Sequence, residues 1–327
     1  MKKITLTTAL LFASTIAFAD ASLEQKTQMH FGGFLGGIIN VFGRSATHEG
    51  TTSTTFVHGD RKSTVTAGNG QIIDLGEEKV YAVDYERKTY TVKTFAEMRK
   101  EFEDAKERAE KQKASDKSAA KNEGPEYDVD IDIKDTGRKL EINGFNTHQV
   151  LVTITLREKG KKLEQSGGAV LTSDMWMGPR LAAMREVGDF DRRFAQKLYG
   201  KEFGTAEMQQ MAVLMATNPA FGKAMKAFAD KRSSFEGSPI RTTLTFETVA
   251  GTEQHADSQQ QSDSPSGMSG AIGGLLGRMK KNRDEKQAAS DPNSNRAKLF
   301  DSTVDVLKAS TSASAADVAI PAGFRQK

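Results

Sequence analysis

Tyr127, Val129, Ile131 and Ile133 alternate with Asp128, Asp130 and Asp132, and this period of two constrains the fold more than any other feature of the chain. Successive side chains of a strand point to opposite faces, so the aspartates belong to a solvated face and the aliphatics to a covered one. The pattern recurs. Tyr81, Val83 and Tyr85 share a face, and after the polar turn Glu86-Arg87-Lys88 so do Tyr90 and Val92. Val150, Val152, Ile154 and Leu156 form another set, as do Ile240, Thr242, Leu244 and Phe246, while Val304 and Val306 mark a last strand. A first strand is expected near Glu24 to His30 and the next around Thr54 to Val57. Asn143-Gly144 signals a tight type I′ hairpin, because both positions tolerate positive φ. Short links between such strands predict an antiparallel sheet with one solvated face.

Helical spacing interrupts the strands. Thr94-Phe95-Ala96-Glu97 reads as a capping box, followed by Phe95, Met98, Phe102 and Ala105 on one side. That stripe fades into a charged run at 106–123. A second helix is expected from Pro179, burying Leu181, Met184, Phe190, Phe194 and Leu198. A third follows Thr205 with Met208, Met211 and Met215, and Asn218-Pro219 restarts a fourth with Phe221, Met225 and Phe228. Polar tracts at about 104–124 and 252–298 have no core-forming side and read as flexible inserts.

Export is the expectation for compartment. Lys2 and Lys3 precede an apolar run from Ile4 to Phe18, and Ala17-Phe18-Ala19 has the small residues a signal peptidase reads. Cleavage of these 19 residues from 327 leaves 308, with a formal charge near +1 instead of +3. Near neutrality gives no case for nucleic acid. With no cysteine in the chain, disulfides, thiolate metal sites, a cysteine nucleophile and a lipidated anchor cysteine all drop out. No later stretch reaches the twenty or so apolar residues of a membrane helix. A periplasmic protein without a lipid anchor is expected.

Catalytic chemistry finds little purchase. Asp128, Asp130 and Asp132 suggest a calcium loop, but the positions needing Gly and Glu hold Ile133 and Lys139. His30, His48, His58, His148 and His255 lie on separate segments without ligand spacing. No nucleophile elbow occurs, and no Gly-Lys-Ser/Thr closes a phosphate loop. No catalytic residue, metal or cofactor is expected, and the reading is non-enzymatic.

Two apolar features remain. Met175, Met177, Met184, Met208, Met211, Met215 and Met225 cluster near the only Trp, Trp176. Methionine adapts its shape to varied partners, so the cluster is either an ordinary core or a pliable lining for an acyl chain or apolar peptide. Residues 31–43, FGGFLGGIINVFG, set Phe34, Leu35, Ile38 and Ile39 with three more large apolar residues among five glycines. Leaving seven such side chains in water would forgo on the order of 10 kcal/mol, comparable to a domain's stability. A cover is therefore required: the protein's own sheet, the similar segment at 270–279, or a lipid or partner surface.

Several stretches together resemble a known group. GDRKSTVT (59–66), IIDLGEEKVYAVDYERKTYTVKTFAEMR (72–99), INGFNTHQVLVTIT (142–155), LTSDMWMGP (171–179), SPIRTTLTF (238–246) and IPAGFRQK (320–327) follow the order of exported bacterial proteins of domain of unknown function 4412. That family is similar in architecture to LolA-type periplasmic lipoprotein carriers. The resemblance implies an α+β fold in residues 20–327. Its core would be a curved, incompletely closed antiparallel sheet with three to four helices on the concave face, where carriers accept acyl chains. The charged insert and the 270–279 tract depart from a simple carrier.

The leading expectation is a non-catalytic periplasmic protein binding a lipid, acyl chain or lipoprotein between sheet and helices. Trp176, Met184, Met208, Met211 and Met215 are its expected lining, with Phe34, Leu35, Ile38 and Ile39 as a mobile rim. The alternative is an envelope interaction protein that docks on a partner or membrane surface through its glycine-rich apolar segments.

Overall fold

Alternating sequence becomes one large sheet in the computed structural model, which describes residues 20–31, 50–116, 127–200, 235–252 and 295–327. Twelve strands take part: β1 (Ala21–Phe31), β2 (Thr51–His58), β3 (Arg61–Thr66), β4 (Asn69–Asp74), β5 (Lys79–Asp84), β6 (Thr89–Thr94), β7 (Tyr127–Ile142), β8 (Phe145–Glu158), β9 (Gly168–Gly178), β10 (Ser238–Val249), β11 (Arg296–Ser310) and β12 (Arg325–Gln326). Their spatial order is β12-β6-β5-β4-β3-β2-β1-β11-β10-β9-β8-β7. Every pairing is antiparallel except the short β12–β6 contact. The sheet is open, and β6 and β7, consecutive in the chain, lie toward opposite edges. Its halves meet where β1 pairs with β11, so residues 21–31 lie beside residues 300–310.

Local signals set the hairpins. Asn143 and Gly144 both have positive φ, 51° and 81°, as the type I′ turn between β7 and β8 requires. Among the described residues three helices accompany the sheet: α1 (Phe95–Asp116), the single turn α2 (Leu163–Ser166) and α3 (Ala182–Tyr199). The capping box at the start of α1 forms reciprocally. The Thr94 amide donates to the Glu97 carboxylate at 2.7 Å, and the Glu97 amide donates to Thr94 Oγ1 at 3.2 Å. Beyond Phe102 the helix continues to Asp116 without an apolar stripe. Good helix formers and ion pairs such as Glu107–Lys111 (2.7 Å) suffice there. α3 starts at Ala182 rather than at Pro179, because β9 runs to Gly178 and the Leu181 amide is tied to Ser238 Oγ at 2.9 Å.

Helix α3 lies against β1, β2 and β11, with its first turns toward Trp176 and its last toward α1. Phe190, Phe194, Ala195 and Leu198 are buried, and they join Ala21, Val57, Ile73, Leu75 and Phe95 in the core between helices and sheet. Phe95 and Phe194 meet edge to face at 5.2 Å. Across the sheet from Ile73 and Val80, a separate cluster of Ile72, Tyr81 and Val83 is covered by Ile320 and Phe324 of the C-terminal segment.

Candidate functional site

Strand β9 carries three large side chains in succession, and alternation sends them to different places. Trp176, 8% exposed, packs with Leu23, Ile142, Ile240 and Val306, against which Leu181, Met184 and Val187 close from the α3 side. The Arg138 guanidinium stacks over its ring at 5.7 Å. Met175 and Met177 point the other way, into a cluster with Val150, Val152 and Ile154 against which Phe235 packs. Of the residues expected to line a ligand space, Trp176 and Met184 are thus together, Trp176 buried and Met184 partly exposed against its cluster. Met208, Met211, Met215, Phe34, Leu35, Ile38 and Ile39 lie outside the described residues.

The Met175 side of the sheet holds a more extensive apolar feature. Strand register aligns Phe31 with Phe300, Phe300 with Phe246, Phe246 with Leu171, Leu171 with Ile154, and Ile154 with Ile131. Directly opposed residues share a face, so six strands contribute one apolar row. At about 4.8 Å per strand, the row is roughly 24 Å long. Ile154 is buried and the other five are partly exposed. The aromatic end is continuous, with ring centroids 6.4 Å apart for Phe31–Phe300 and 5.9 Å for Phe246–Phe300. The neighbouring rank runs Met29, Ser302, Leu244, Ser173, Val152 and Ile133, and Met29 is 45% exposed.

At the level of this row the reverse side of the strands is polar. Thr153, Thr172, Thr245, Asp301 and His30 stand in register there, and His30 Nδ1 lies 3.1 Å from the Asp301 carboxylate. Thr243 and Thr303 share a hydroxyl–hydroxyl hydrogen bond of 3.0 Å. Buried Gln149 donates to both oxygens of Asp174 at 2.9 Å, and Arg241 grips Asp305 with two nitrogens. These polar groups are engaged with one another, whereas the row opposite offers only apolar surface.

Ile240 departs from its expected face. Alternation grouped it with Leu244 and Phe246, but the register shifts between Pro239 and Arg241, and Ile240 joins the Trp176 cluster. A bulge inserts one residue and reverses the facing of what precedes it. Phe31, Phe300 and Leu171 were missed for another reason: each stands in its own strand pattern, and only register brings them together.

Acidic residues on β7 belong to a strand surface. Arg157 reaches Asp130 at 2.8 Å and Asp128 at 3.3 Å, and the Asp130 carboxylate raises the pKa of that guanidinium further. Beside them opens a depression of about 570 Å³ lined by Thr155, Lys161, Lys162 and Glu164 among others. Among the described residues no group of His, Asp or Glu is placed to hold a metal ion, and no helix is long and apolar enough to cross a membrane. No protein-family model, curated protein or solved structure matches this chain.

Proposed function

We propose that the protein is an exported, non-catalytic binder of an apolar ligand — a lipid, an acyl chain or a lipid-modified protein — with the incompletely closed, LolA-like architecture that its sequence resembles. The observation that carries this reading is the six-strand apolar row from Phe31 to Ile131. Its length of about 24 Å exceeds the roughly 15 Å of one leaflet of a bilayer's hydrocarbon core, so one acyl chain can lie along it. Three partly exposed phenylalanines at one end supply broad contact area with little side-chain entropy to lose.

The ligand space is assigned to the row itself and not to the seam under α3. Phe190, Phe194, Phe95 and Leu198 are buried in that seam, at the Ala21–Leu23 end of β1, whereas the row's Phe31 stands at the far end of the same strand and is partly exposed. Trp176 and Met184 pack together where β9 approaches α3. The flanking Met29, Met175 and Met177 give the apolar side a pliable border.

Native mass spectrometry of gently purified protein, paired with uptake of a fluorescent fatty acid, tests the proposal. A copurifying lipid mass, or saturable uptake that a natural fatty acid displaces, is the expected result. Protein that is lipid-free and takes up no probe would refute it.

A further inference from the structure

The two edges of the sheet end differently. At one, β12 covers β6: Arg325 and Gln326 pair with Thr89 and Tyr90, and the Lys327 amide donates to the Tyr90 carbonyl at 2.9 Å. At the other, β7 pairs with β8 alone among the described residues. From Tyr127 to Asp135 it runs in unbroken register, before the irregularity between Asp135 and Lys139. Alternate residues along this stretch turn their N–H and C=O groups away from β8, the arrangement that templates a further strand.

Side chains on this edge determine which strand could join it. Asp130 and Asp132 are exposed and lie with Asp128 on one face, while Val129, Ile131 and Ile133 occupy the other. A second copy pairing antiparallel in matched register would set aspartate against aspartate, which destabilises the pair. Slipping by one residue would set aspartates against aliphatics and reverse the facing of the incoming strand. Self-pairing is disfavoured in both registers. A segment alternating Lys or Arg with aliphatic residues meets neither penalty. Its cations face the aspartates, of which exposed Asp132 lies outside the Arg157 pairing of Asp128 and Asp130, and its aliphatics extend the row that ends at Ile131.

We propose that β7 accepts such an extended basic–aliphatic segment of another polypeptide as an added antiparallel strand. This is strand addition, in which backbone hydrogen bonds supply affinity and alternate side chains supply selectivity. It is independent of whether the apolar row holds lipid.

The test uses the full mature chain and a capped heptapeptide alternating lysine with valine, followed by calorimetry and hydrogen exchange. Saturable binding that weakens with salt and slows exchange within 127–135 is expected. Asp132→Lys should weaken it by about tenfold, with Asp132→Asn intermediate and neither variant losing its melting temperature. A peptide of the same composition with its lysines grouped together should not bind. Absence of binding, equal binding of the grouped peptide, or protection elsewhere on the sheet would each overturn the proposal. So would a protein dimer that Asp132→Lys dissolves, since the edge would then serve a second copy.

Discussion

Phe246 and Phe300 stand directly opposite each other on β10 and β11, their ring centroids 5.9 Å apart and their planes tilted by 39°. Phe300 also meets Phe31 across β1, so it is the middle ring of three and the one whose loss divides the aromatic end. Phe300→Asp should reduce fluorescent fatty-acid uptake by at least about tenfold, because a carboxylate at that point must be desolvated for a chain to pass. Fold integrity is checked by circular dichroism; full uptake by a folded variant would show that the row is not the binding surface.

Core packing beneath α3 makes a separate prediction. Phe190 is fully buried, with the cations of Lys62 and Arg193 over its ring at 5.6 and 5.3 Å. Phe190→Ala should cost about 3–5 kcal/mol through lost burial and the cavity left behind. Urea unfolding gives the number. A loss under about 1 kcal/mol would mean that the helix seam collapses or contributes little.

Acid stability should depend on Asp74. Burial alone would raise the pKa of this carboxyl, but the Glu77 amide and the Arg61 guanidinium outweigh it and hold the group below its ordinary value. A depressed folded pKa contributes stability that is complete above the unfolded value near 3.9 and is lost as pH falls through the folded one. The stability gap between the wild type and Asp74→Asn should therefore narrow as pH drops below about 4. Unfolding curves at neutral pH and near pH 3 test this, and a gap that widened in acid would contradict it.

Backbone crowding at Gly237 allows no side chain. Its φ is +98°, and an added Cβ would come within 2.1 Å of the Gly178 carbonyl oxygen. Gly237→Ala should lower stability by more than the roughly 1 kcal/mol typical of an unstrained glycine exchange. The melting temperature should fall by several degrees, and an unchanged value would place the β9–β10 junction differently.

Removing residues 318–327 should be costly at two levels. Val318 is 1% exposed, Ile320 and Phe324 cover the Tyr81 cluster, and Tyr85 stacks edge to face on Phe324 at 5.6 Å. The shortened chain would expose that cluster and leave β6 without its cover, so both a lower melting temperature and aggregation are expected. Light scattering during a thermal ramp measures the two together; a deletion that melts like the full chain would refute the covering role.

Local chemistry made much of the fold legible in advance. The Thr94–Glu97 box, the Asn143-Gly144 turn and the alternating aliphatics of β7, β8 and β10 each depend on residues a few positions apart, and each forms. Quantities that depend on distant pairing were not legible. Nothing near Phe31 indicates that Phe300 lies beside it, and the bulge at Ile240 is defined only against β9. A two-residue strand such as β12 has no period to detect. The Met175–Trp176–Met177 triplet read as one apolar patch because composition ignores facing; on a strand it serves two sides.

Pairing of β1 with β11 has a consequence for the order in which the molecule can assemble. The strand that leads the described chain cannot acquire its second neighbour until residue 300 and beyond have been delivered. A chain threading outward from its first residues would meanwhile hold β1 to β6 as one fragment and, later, β7 to β10 as another, with closure across nearly the whole length as a late event. Such distant contacts are slow to form, because the entropy of closing the loop is lost before the pairing is gained. Through that interval the β11-facing edge of β1, from Ser22 to Phe31, has its backbone groups open to water.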